Sequence, residues 1–139
     1  MIDIENDVID YVSKAIRAAH TGTDVQGEYV ELPAKFPHVS IVQRSSSIVP
    51  SWRSCETVEN AADVMFELNV YSNKVSGRKS EAKAIAATAD EAFADLGIER
   101  TFMNQVPNLK DATIYRLVCR YEGRVIPNDD GKFYIATSR

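Results

Sequence analysis

Few residues in this chain have the types and spacing that catalysis or metal binding requires. His20 and His38 are its two histidines. Neither stands at a catalytic or metal-ligand spacing from a serine, cysteine or carboxylate, so a helix end and a strand start account for them. Cys55 and Cys119 lie far apart with no CxxC pair, which suggests neither a zinc site nor a disulfide framework; reduced thiols are expected. Asp129, Asp130 and Gly131 match only a fragment of a calcium loop, which needs ligands spread over twelve positions and a closing glutamate, so a hairpin turn is the reading. A glycine-rich phosphate loop, paired carboxylates and an activated nucleophile are all missing. The residues argue for a non-enzymatic binding or assembly module, with no cofactor and no metal expected.

Recognition chemistry is better represented. Lys74, Arg78, Lys79 and Lys83 gather at the start of a helical segment, where positive charge opposes the helix dipole. They form either a solvated helix end or a contact with an acidic neighbour. That neighbour is the Asp3, Glu5 and Asp7 end of another subunit's first helix, or a DNA phosphate. Arg116, Arg120 and Arg124 recur every fourth residue and so share one face of a strand. Cross-strand pairing with Asp63 or Glu67 would satisfy them, and a contact with a partner subunit is the other reading. Trp52, the single tryptophan, sits beside Arg53 in an irregular stretch. Such a residue either fills the core of its own domain or anchors an interface.

The elements that position these residues are organised around residues 61–96. Val64, Phe66, Leu68 and Val70 alternate with Asp63, Glu67 and Asn69, which predicts a strand with one face to bury. After the polar turn from Ser72 to Gly77 the period changes to about 3.6, with Ala82, Ile85, Ala89, Phe93 and Leu96 on one side of a helix. Gly97 and Ile98 then mark a Schellman ending, with Gly97 in the left-handed C′ position and Ile98 reaching back towards Phe93.

Upstream, Ile4, Val8, Tyr11, Val12, Ala15 and Ala19 follow helical spacing, and the order of acidic then basic residues suits the dipole. Thr21 to Gly27 is turn-rich, and Glu28 to Leu32 alternate weakly as a short edge strand before Pro33 and Pro37. His38 to Arg44 fits a central strand, and residues 44–60 a long loop. Downstream, Ile98 to Gln105 reads as a strand of ambiguous burial. Thr113 to Ile126 reads as a long strand with Tyr115, Leu117, Cys119 and Tyr121 opposite the arginines, and a turn at 128–131 leads into Phe133 to Ala136. With tight turns joining the later strands, the expected fold is α+β: a mixed, largely antiparallel sheet with two main helices packed on one face.

Size and charge narrow the functional classes. A 15.5 kDa chain of 139 residues carries one domain, here residues 1–139, with a sizeable core. Its net charge of −4 disfavours a protein whose main work is gripping nucleic acid through phosphates. The start has no basic segment followed by an apolar run and no stretch is of membrane-spanning length, so a soluble chain without a signal peptide and without a membrane partner is expected.

Several segments resemble the tail terminator, or tail completion, proteins of long-tailed bacteriophages and related prophages. They are FPHVSIVQ from Phe36, ENAADVMFELNVYSNK from Glu59 to Lys74, GRKSEAKAIAATADEAFADLGIERT from Gly77 to Thr101, and VPNLKDATIYRLVCRYEGRV from Val106 to Val125. The more specific pieces are the NVYSNK turn with the glycine, basic pair and EAK that follow, then PNL, DATIYR and RY. The resemblance implies a small α/β virion subunit, assembled in the host bacterial cytoplasm, that forms a homo-oligomeric ring, a hexamer, on the end of the tail tube. Such a ring stops tube polymerisation and offers the head-tail connector, or neck protein, its joining surface. It also passes double-stranded DNA without sequence preference, and a lumen poor in basic side chains suits that passage.

On this reading Trp52 and Arg53 are the candidate tube or connector contact. Lys74, Arg78, Lys79, Lys83, Arg116, Arg120 and Arg124 are the candidate subunit interface. A head-closure or neck protein of the same assembly is the alternative, followed by an α+β ligand-binding domain or enzyme.

Overall fold

The computed structural model describes residues 3–30, 32–48, 61–107, 111–127 and 133–135. The alternation at Val64 to Val70 becomes strand β3 (Ala62–Ser72), and the change of period becomes helix α2 (Arg78–Asp95). Around this unit the chain contributes α1 (Glu5–Ala19), β1 (Asp24–Gln26), β2 (His38–Ile48), β4 (Glu99–Gln105), β5 (Tyr115–Pro127) and β6 (Phe133–Ile135). The strand order is β1-β2-β3-β5-β4, with β6 on the end of β5. β1 runs parallel to β2 and every other pairing is antiparallel. Both helices cover one face, α1 against β2 and α2 against β3, β5 and β4, so the fold is the expected α+β arrangement.

The core lies between that face and the helices. Val39, Ile41, Val64, Phe66, Leu68, Val70, Leu117 and Cys119 meet Val8, Val12, Ile16, Ala82, Ile85 and Phe93. Phe93 stacks on Tyr121 at 4.0 Å and leans on Phe66 at 6.0 Å, joining α2 to β5 and β3. The apolar stripe of α1 is Ile4, Val8, Val12 and Ile16, spaced by four; Tyr11, assigned to it from the sequence, is 43% exposed, and Ala19 is exposed. Ser13 is buried beside that series, and Ile9 and Ala15 pack partly against the core, so the buried stripe is wider than the i, i+4 row yet stops short of Tyr11 and Ala19.

The Schellman ending forms as expected. Gly97 has φ of 78°, its N–H donates to the Ala94 carbonyl at 2.9 Å, and the Ile98 N–H donates to the Phe93 carbonyl at 2.9 Å. Replacing Gly97 by alanine should cost about 1–2 kcal/mol, because a Cβ opposes the left-handed conformation; a lowered thermal midpoint at neutral pH checks this.

Three boundaries differ from the sequence reading. The short edge strand lies at Asp24–Gln26, inside the stretch read as a turn, and not at Glu28 to Leu32. β2 continues through the serine triplet to Ile48, because a bulge at Arg44 resets the register with β3. The link between β4 and β5 occupies residues 106–114 instead of a tight turn. The remainder of the expected loop, and the turn containing Asp129 and Asp130, lie outside the described residues.

Candidate functional site

The sheet face away from the helices carries the arginines. Alternation in β5 places Arg116, Arg120 and Arg124 there, facing Tyr71, Glu67 and Asp63 of β3 in register. At the centre Glu67 is 5% exposed and accepts two hydrogen bonds from Arg44, Nε to Oε2 and Nη2 to Oε1, each 3.1 Å. Arg120 Nε lies 3.6 Å from the same carboxylate, and the Asn69 amide donates to it at 3.1 Å. Arg116 donates to Asn69 Oδ1 at 3.0 Å with its guanidinium over the Tyr29 and Tyr71 rings at 5.6 and 5.9 Å. Arg124 makes a forked pair with Asp63 at 2.9 and 3.2 Å.

β3 is therefore covered on both faces, where the sequence predicted one. Arginine stems lie over this side, and long charged side chains can cover a polar sheet while their heads stay wet. Burial pushes the Glu67 carboxyl up, but the hydrogen bonds from Arg44 and Asn69 and the charges of Arg44 and Arg120 outweigh it and hold the group below its ordinary value. This is the cross-strand pairing foreseen for the arginine face. The Arg44 contribution was not foreseen: Arg44 is the bulged residue, and a bulge re-aims a side chain without leaving a trace in the hydrophobic pattern.

Lys74, Arg78, Lys79 and Lys83 stand on the opposite side, in the β3–α2 turn and the first turns of α2, and all four are exposed. No ion pair reaches any of them among the described residues. The α2 N-cap, Gly77, offers no side-chain cap, and the one acidic residue of the first turn, Glu81, accepts a 2.7 Å hydrogen bond from the Ser72 hydroxyl. The dipole misfit seen in the sequence is present in the fold, and the sheet separates this cluster from the arginine face.

β4 is one edge of the sheet, and all 7 of its residues are exposed. A bulge at Thr101 divides its side chains: Met103 pairs across from Cys119 and turns to the helix side, while Phe102 pairs across from Arg120 and lies 5.1 Å from its guanidinium. The bulge also sends Arg100, opposite Tyr121, and Phe102, opposite Arg120, to different faces although they are two residues apart, which is why the burial of this strand is ambiguous in the sequence. Between α2 and β4 runs a cleft of about 350 Å³ lined by Lys83, Ala86, Ala87, Asp90, Arg100 and Met103.

The remaining candidates are quiet. His20 bonds Thr88 at 2.9 Å, and His38 Nδ1 lies 2.9 Å from the Asp24 carboxylate, tying β1 to β2. Burial pushes the Cys119 thiol up to about 11, so it is protonated at neutral pH and a poor nucleophile or ligand. Trp52, Arg53 and Cys55 lie outside the described residues. Neither helix is long and apolar enough to cross a membrane.

No protein-family model matches this chain, and no curated protein matches it. Among solved structures the fold matches a chain described as "Virion of native gene transfer agent (GTA) particle", with a TM-score of 0.58 and 19% identity over 83% of this chain and 91% of that one. At that identity the likeness is one of fold.

Proposed function

We propose that this chain is a virion structural protein of a phage or prophage, a tail terminator that closes the end of the tail tube as a ring. The observation that carries the reading is a fold shared over 91% of a chain from a gene transfer agent virion particle, in a chain whose segments independently resemble tail terminators. An open strand edge, an exposed basic cluster at the start of α2 and an acidic overall charge suit a subunit that meets copies of itself around a channel for duplex DNA. The role is structural, with no bond made or broken and no cofactor required. The partners are neighbouring copies, the tail tube protein and the connector.

The test uses the full chain and tail tubes assembled without it. Expected are a particle of six times the 15.5 kDa protomer mass by light scattering, density at one tube end by electron microscopy, and arrested elongation on adding tube subunits. Attachment to filled heads alone would move the chain to the head-closure role; attachment to neither would overturn a place in the head-tail joint.

A further inference from the structure

The two helices lie antiparallel and staggered. Tyr11 donates to Asp95 at 3.2 Å near the end of α2, and His20 at the end of α1 meets Thr88. At 1.5 Å per residue, about 9 Å of α1 runs past the first contact and about 15 Å of α2 past the second. The stagger sorts charge. Asp3, Asp7 and Asp10 of the α1 overhang join Glu91 and Asp95 at one end of the layer, whereas Lys74, Arg78, Lys79 and Lys83 occupy the α2 overhang at the other. Each end also presents an apolar side chain, Tyr11 at 43% exposure and Val75 at 98%.

We infer that these ends are the two halves of one head-to-tail contact: the acidic overhang of one copy docks against the basic overhang of the next. The occupant is a second copy because this chain itself carries the matching surface, and because its net charge of −4 gives duplex DNA little reason to prefer the basic end. Unlike surfaces on one subunit make a heterologous contact, which closes into a ring when the rotation between copies allows. The neighbour's carboxylates lie where an uncapped helix N-terminus favours anions, so docking removes the dipole misfit of α2. Tyr11 and Val75 supply the desolvated anchors that charges alone do not. The inference rests on the ring reading for the presence of neighbouring copies.

Charge reversal gives two results of opposite sign. Lys74→Glu, Arg78→Glu, Lys79→Glu and Lys83→Glu together place anions at a helix N-terminus and should raise the thermal midpoint of the subunit. The same change should weaken ring formation in sedimentation by about a hundredfold or more, since like charges then face each other. A second chain with Asp3→Lys, Asp7→Lys and Asp10→Lys should also fail alone, and an equimolar mixture of the two reversed chains should assemble. Rings that form normally from the first chain, or a mixture that stays monomeric, overturn the inference and leave the terminator reading standing. So does a basic end whose reversal abolishes binding to a duplex oligonucleotide and leaves assembly intact. Charge-dependent rings that ignore tail tubes overturn the terminator reading alone, and wild-type chains that never associate, free or on tubes, overturn the ring and the contact together.

Discussion

Replacing Phe93 by alanine should destabilise the subunit by about 3–5 kcal/mol, a large fraction of the roughly 5–15 kcal/mol available to a folded domain. The ring has no exposure to solvent and packs at 4.0 Å against Tyr121 with an interplanar angle of 13°, while Phe66 closes the cluster at 6.0 Å. It is the place where α2 meets both β3 and β5. The Phe93 carbonyl also receives the N–H groups of Leu96 and Ile98, so backbone and side chain fix the helix end together. Truncation leaves a void among a buried tyrosine, a buried phenylalanine and the alanines of α2, and short alanine side chains cannot collapse into it. Urea titration followed by circular dichroism reads the effect. A loss below about 1 kcal/mol would mean that α2 can slide to refill the site.

Glu67→Gln should cost about 2–3 kcal/mol, and the cost should fade in acid. The carboxylate is the hub through which β2, β3 and β5 are joined on the helix-free side, and Gln offers Arg44 only one acceptor. Arg44 and Arg120 are 44% and 47% exposed, so the guanidinium groups can turn to water; this keeps the loss below that of a fully buried pair. The sign of the pH effect follows from a folded carboxyl held below its ordinary value of 4.5. Its stabilisation is complete above that pH and is lost as pH falls through the lower folded value. Urea midpoints of wild type and variant should differ at pH 7 and converge near the acid limit of the native state. A gap that widened in acid would assign the stabilisation to another group. The Asp63–Arg124 pair, on the same face but half exposed at Asp63, should show a much smaller effect.

How far the sequence discloses this molecule depends on whether a feature is local. The β3–α2 unit was legible because its period changes at a glycine-bearing turn, and the ending at Gly97 and Ile98 because its two hydrogen bonds lie within six residues. The arginine face was legible too, since a spacing of four keeps residues on one side of a strand. Arg44 was hidden, because only the register between β2 and β3 shows that a bulge directs it onto Glu67. β1 was hidden for a different reason. Three residues flanked by turn formers carry no periodic signal, and their strand state comes from pairing with His38, Val39 and Ser40. On α1, Tyr11 was misplaced because an aromatic ring satisfies the apolar pattern from a half-wet position, with its hydroxyl on Asp95. The candidate ring contacts on α2 were visible as a charge in the wrong place; the opposing acidic end acquired a shared surface only once the helices were seen to lie antiparallel.

The strand order β1-β2-β3-β5-β4 also governs how the chain can be made. Among the described residues β4 hydrogen-bonds only β5, although it leaves the ribosome first. Until β5 emerges, β3 has a vacant edge, Phe93 lacks Tyr121, and β4 has nowhere to attach. Completion of the sheet is thus a late event in synthesis, and it inserts one 13-residue strand between two earlier ones. A nascent chain stalled before Tyr115 would hold α1, α2 and the β2–β3 pair with the β3 edge unpaired and Phe93 without Tyr121, the species on which a chaperone would act.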